Sequence, residues 1–167
     1  MHKVYSIKKK KYSKKYFVNF VDFTFDSIEL SLDVIMKYGI AKDKEIDENT
    51  LIEAIGEQRL KDAKSSAYNF VSYKPRSEYE VRKKLESKEF SLDIIDSAIN
   101  FLYEFGLLDD KKFAEMFINS YLKAKPSGLY KLTYELKKRG IDQMIIEQSI
   151  MSFYPNDKSV ELAQEAT

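Results

Sequence analysis

Residues 67–99 match residues 118–150 at a constant offset of 51 with no gap, and this self-similarity limits the possible folds more than any other feature of the chain. Lys74-Pro75 falls on Lys125-Pro126, Tyr79 on Tyr130, Leu85 on Leu136, Ile94-Ile95 on Ile145-Ile146 and Ile99 on Ile150. Seven identities in 33 positions are few, but each stands at a helix stop or at an apolar position of helical period. Conservative pairs such as Phe70 with Tyr121 and Val81 with Leu132 fill the same face. The pattern predicts two copies of a three-helix unit. Such a unit leaves an apolar face uncovered until a neighbour stacks on it, so the expected fold is mainly α: tandem three-helix repeats in an elongated, curved body. A long concave surface of that kind suits a polymer better than a small substrate.

Local signals place the elements. Val4, Ile7, Tyr16, Val18, Phe20, Phe23, Phe25, Ile28 and Leu30 partly alternate with polar residues and predict a small amino-terminal β-hairpin or three-stranded sheet, with residues 10–15 as a hairpin tip and Asp22 as a second bend. A short helix is expected over 30–38, closed by Gly39. From Asp47 the period is helical through Leu51, Ile55, Leu60, Ala63, Ala67 and Phe70, with Gly56 as a place to bend. Ser77 with Glu80 forms a capping box, Ser91 opens the next helix, Asp109 or Asp110 caps the one bearing Phe113 and Phe117, and Asp142 caps the last. The expected organisation is a β-rich extension over 1–46, a first repeat over 47–108, a second over 109–155 and the start of a truncated third over 156–167.

The residue inventory argues against catalysis. There is no cysteine, the one histidine is His2, and the glycines at 39, 56, 106, 128 and 140 are too scattered for a phosphate-binding loop. Asp109-Asp110 could in principle ligate magnesium, but a pair of acids just before an apolar helical stripe fits a helix cap far better. We therefore expect no catalytic residue, no metal and no cofactor. No apolar run is long enough to span a bilayer, and the lysine-rich start lacks a signal-like core, which predicts a cytoplasmic protein.

Charge is uneven although the formal net value is only +1. Residues 1–16 hold seven lysines and no acid, and residues 22–57 are strongly acidic. Arg76, Arg82, Lys83 and Lys84 surround the second helix of the first unit, and Lys123, Lys125, Lys131, Lys137, Lys138 and Arg139 surround that of the second. These cations are the expected contacts for a partner or for DNA, with Arg82 and Lys83 directed to solvent. Tyr12, Tyr16, Phe17, Phe20 and Phe23 beside lysines could stack on single-stranded nucleic acid, although a small sheet burying one aromatic face is the better account of them.

The runs YKPRSEYEVRKKL at 73–85, FLYEFGLLDDKKFAEMF at 101–117 and LKKRGID at 136–142 resemble the RecX family of recombination regulators, in order and spacing. The resemblance implies a crescent that enters the groove of the RecA–single-stranded-DNA filament and lowers RecA ATP hydrolysis, strand exchange and coprotease activity. It implies RecA and single-stranded DNA as partners, no membrane, and a monomer. The competing reading is a nucleic-acid-binding module that acts through its basic helical faces without a recombinase. Where the family tends to be arginine-rich in its second unit, this chain has PSGLYKL, so Lys125 and Lys131 offer point charges without the arginine fork.

Overall fold

The computed structural model describes residues 1–21, 27–124 and 128–154. Expectations for Asp22, Phe23, Phe25, Lys125, Pro126 and the helix beyond residue 156 lie outside the described residues. The chain divides into two compact units, Met1–Asp62 and Ala63–Thr167.

In the first unit β1 (His2–Lys9), β2 (Lys15–Phe20) and β3 (Ile28–Ser31) form an antiparallel sheet, joined by a two-residue β4 (Glu45–Ile46) too short to carry any alternation. The strand order is β3-β2-β1-β4. Residues 10–15 do make the hairpin tip, closed by Lys10 N–H donating to the Lys15 carbonyl at 3.0 Å. The following helix α1 (Leu32–Lys37) starts later than the pattern predicts. Leu30 instead pairs with Tyr16 in the sheet and is fully buried, because ladder bonds and core burial together outweigh a good helix former's preference.

The pleat divides the expected aromatic platform. Tyr16 and Phe20 share a face with Val4, Val18 and Leu30 and pack into the core, whereas Phe17 alternates to the opposite face. Val34 and Ile35 of α1, with Leu51 and Ala54 of α2 (Glu48–Tyr73), cover the inner face. Gln58 fixes this packing from within: its Oε1 accepts from Ser31 N at 2.7 Å and Ser31 Oγ at 2.8 Å, while its Nε2 donates to Asp62, which also holds Lys15 at 2.6 Å. A buried amide with both ends satisfied costs little and fixes the register of α2 on the sheet. Gly56 does not bend α2; it is exposed within an unbroken helix.

The second unit carries the repeat. The last turns of α2 are followed by α3 (Glu78–Glu86) and α4 (Leu92–Glu104), and α5 (Asp110–Ala124) by α6 (Leu129–Lys138) and α7 (Gln143–Phe153). Glu78 and Leu129, then Leu92 and Gln143, open equivalent helices at the offset of 51 seen in the sequence. Each copy has its own core, with Ala67, Val81, Leu85, Ile95 and Ile99 in the first and Ile118, Leu132, Leu136, Ile146 and Ile150 in the second. The Ser77–Glu80 capping box is present, and Asp142 accepts from Met144 N at 2.8 Å.

Among the described residues, contacts at three places join the copies. Ser77, fully buried, donates from Oγ to the Arg139 carbonyl at 2.6 Å. Gly140, with φ +72°, lies so close to Tyr79 that a Cβ there would stand 2.3 Å from the Tyr79 Cβ. The two aspartates separate their tasks: Asp109 caps its own helix through Lys112 N at 2.9 Å, whereas Asp110 accepts at 2.8 Å from Glu78 N, at the start of the other copy's α3. Glu78 in turn accepts from Arg82 Nε at 2.7 Å and Tyr103 Oη at 2.6 Å. Burial, reinforced by the nearby charges of Glu78, Asp109 and Glu80, raises the Asp110 carboxyl above its ordinary range, against the pull of the Glu78 amide.

Two stability measurements check this joint. Gly140→Ala should lower stability to denaturant by roughly 2 kcal/mol or more, through left-handed strain plus overlap with Tyr79. Gly106→Ala, also at positive φ (+63°) but facing open space, should show the backbone cost alone. A raised folded pKa makes the Asp110 contribution greatest below the unfolded value of 3.8 and lost as pH rises through the folded value. Asp110→Asn keeps the acceptor for Glu78 N and removes that titration, so the stability profile above pH 3.8 should flatten with no loss at neutral pH.

Candidate functional site

The Lys74-Pro75 step ends α2 and turns the chain sharply into α3, since proline disfavours a helical residue before it and cannot donate an amide. The turn opens a cleft of about 450 Å³ whose walls include Tyr73, Lys74, Arg76, Leu107, Lys112 and Met116. Three cations thus border one concave surface with an apolar floor, and Asp109, already engaged with Lys112 N, is the acid on its wall.

Arg76 is the most constrained of these cations. Its guanidinium carbon lies 3.9 Å from the Phe70 ring centroid, a close cation–π contact, and its side chain is only 16% exposed. The nearest paired carboxylate oxygen, on Glu80, stands at 3.9 Å, and the buried Arg76 Nε has no hydrogen-bond partner. The ring therefore fixes the orientation of the guanidinium; its Nε is buried and closed to any ligand, so a carboxylate or phosphate in the cleft can meet only the part of the group that remains exposed. Lys74 and Lys112 are exposed, with no ion-pair partner among the described residues. The cleft can hold an anionic group with an apolar body. Lys74 is visible in the sequence as a repeat identity; Lys112, in the first turn of α5, lies within the family-like run 101–117 but nothing there singles it out as a contact.

The other sequence-predicted cations fall into two groups. Arg82 is not the free, solvent-directed charge that the helical spacing predicts: it donates to Glu78 at 2.7 Å and to Asp96 at 2.6 Å, and these carboxylates, Asp96 foremost, raise its pKa. Lys83 is likewise tied to Glu86 at 2.8 Å, and Arg139 to Glu135 at 2.7 Å with its guanidinium over the Phe117 ring. The Arg139 charge holds the Glu135 carboxyl below its ordinary range. Lys84 is exposed above Phe70, and Lys123, Lys131, Lys137 and Lys138 are exposed with no ion-pair partner among the described residues. Lys137 and Lys138 also complement the negative end of α6.

No group of three or more acidic or histidine side chains among the described residues is placed to hold a metal ion. No described helix is long and apolar enough to cross a membrane.

Known proteins share this architecture. Residues 63–102 match the RecX first three-helix domain and residues 109–150 the RecX second three-helix domain. Regulatory protein RecX of Lactococcus lactis subsp. lactis (strain IL1403) is 35% identical over 139 residues, covering 83% of this chain and 52% of the relative. That of Bacillus velezensis is 35% identical over 127 residues, or 76% of this chain and 48% of the relative, so the chain spans about half the length of both. The Clostridium perfringens (strain 13 / Type A) protein is 33% identical over 159 residues, covering 95% of this chain and 74% of the relative. A crystal structure of a regulatory protein RecX, 19% identical, superposes with a TM-score of 0.67 over 96% of this chain and 77% of its own, which shows a common fold. RecX from Lactobacillus salivarius, 28% identical, gives 0.56 over 62% and 66%. With both helical domains matched in order and a 33% identical relative aligned over 95% of this chain and 74% of its own length, the chain belongs to the RecX family.

Proposed function

We propose that this chain regulates the recombinase RecA by binding the RecA–single-stranded-DNA filament in its groove, and that it mainly inhibits ATP hydrolysis, strand exchange and coprotease action. Membership of a family whose relatives are named regulatory proteins carries the reading. In it the chain acts as a cytoplasmic monomer and catalyses nothing itself.

The cleft at the Lys74-Pro75 turn supports a direct contact of this type. A filament presents carboxylates on its protein and phosphates on its strand, and the guanidinium of Arg76, lining the cleft with Lys74 and Lys112, suits either oxyanion. The exposed lysines of α6 add attraction without orientation, because an ammonium group is a point charge on a flexible stem. The proposed contacts are thus Arg76 with Lys74 and Lys112, assisted by Lys84, Lys123, Lys131, Lys137 and Lys138.

RecA ATPase on single-stranded DNA, titrated with the full chain, provides the test. The wild type should suppress turnover, and the triple reversal Lys74→Glu/Arg76→Glu/Lys112→Glu should require about tenfold or more protein for the same effect. Arg76→Lys should lie between the two if the fork matters, with thermal melts confirming that each variant is folded. Inhibition persisting at salt where the chain no longer binds bare DNA would exclude a purely DNA-directed action. ATPase unchanged up to excess over RecA protomers would refute the proposal.

A further inference from the structure

The β1–β2 hairpin carries a surface that the helical repeats do not explain. Lysines around its tip fall into two sets. Lys10 and Lys15 pair with Glu29 and Asp62, each at 2.6 Å, and hold the hairpin to the first unit. Lys8, Lys9, Lys11 and Lys14 are exposed and have no carboxylate partner among the described residues. Four cations within so short a segment repel one another, and no ion pair among the described residues offsets that.

At the centre of this set stands Tyr12, fully exposed and in the left-handed backbone region with φ 58°. Glycine or asparagine adopts that conformation far more readily in a hairpin turn. A tyrosine here costs backbone strain and buries no ring surface in return. An outlier with no folding benefit, ringed by unpaired cations, indicates a binding role. The combination has a specific chemistry: cations spaced along a turn meet successive phosphates, and an accessible aromatic face accepts an unpaired base. Duplex bases are already stacked and offer it no such face. A lipid surface would be matched by several apolar anchors rather than one tyrosine.

We propose that the β1–β2 hairpin tip binds single-stranded nucleic acid, with the Tyr12 ring stacked on a base and Lys8, Lys9, Lys11 and Lys14 holding the flanking phosphates. This contact involves no recombinase and stands independently of the filament reading.

The test is fluorescence anisotropy of a labelled oligothymidylate of about 20 nucleotides, titrated with the full chain in the absence of RecA. Tyr12→Gly relieves the positive φ, so the variant should melt no lower than wild type, yet bind the oligonucleotide about five- to tenfold more weakly. Tyr12→Trp should retain binding. Reversing Lys8, Lys9, Lys11 and Lys14 to Glu should weaken binding further and reduce the salt slope of log affinity by about 3. A duplex of the same length should be indifferent to Tyr12→Gly. Wild-type affinity in both the glycine and the charge-reversed variants would overturn the proposal, as would an equal loss on duplex with Tyr12→Gly. So would unchanged oligonucleotide binding alongside lost binding to phosphatidylglycerol vesicles, which would assign the tip to membranes.

Discussion

Close approach of the Tyr79 side chain to the backbone at Gly140 is the constraint on which the stacking of the repeats depends. The residue must turn left-handed to end the second copy's α6, and it must lack a side chain because Tyr79 occupies the space where a Cβ would stand. Ser77 then reaches the Arg139 carbonyl, and the start of α3 rests against the end of α6. The contact is directional. Tyr130, the register partner of Tyr79, is 77% exposed, and Gly128 stands where Ser77 stood, giving α6 no side-chain cap. The copies share a fold but not the residues that dock it.

Once the copies are docked, geometry separates cations that build the protein from those left for other partners. Arg82 and Arg139 have carboxylates one helical turn away and serve internal networks, which is why a count of basic residues near α3 and α6 overstates their availability. Arg76 is different because its principal neighbour is the face of Phe70, which orients the guanidinium. Lys74 and Lys112 share its cleft, and Lys84 its Phe70 ring. Such a division gives one position that can discriminate oxyanion geometry and several that only attract.

The amino-terminal unit applies the same rule differently. Gln58 and Asp62 on α2 gather Ser31 and Lys15, so polar groups from two strands are satisfied by one helix. That arrangement leaves the outer lysines of the hairpin without an ion-pair partner among the described residues, and the Tyr12 ring exposed.

The sequence by itself determined the repeat, the helix starts within it and the hairpin tip, because those depend on residues a few positions apart. Ser77 with Glu80, Asp142 with Met144, and the glycines closing their helices were legible for that reason. Two copies of one apolar pattern likewise implied two cores of equivalent composition. Only the tertiary structure decided that Leu30 belongs to a strand, that Asp110 serves a helix in the other copy, that Arg82 is engaged, and that Lys74, Arg76 and Lys112 share a cleft. Each of these depends on a partner many residues away, and a local pattern contains no record of which distant group will occupy the space beside it.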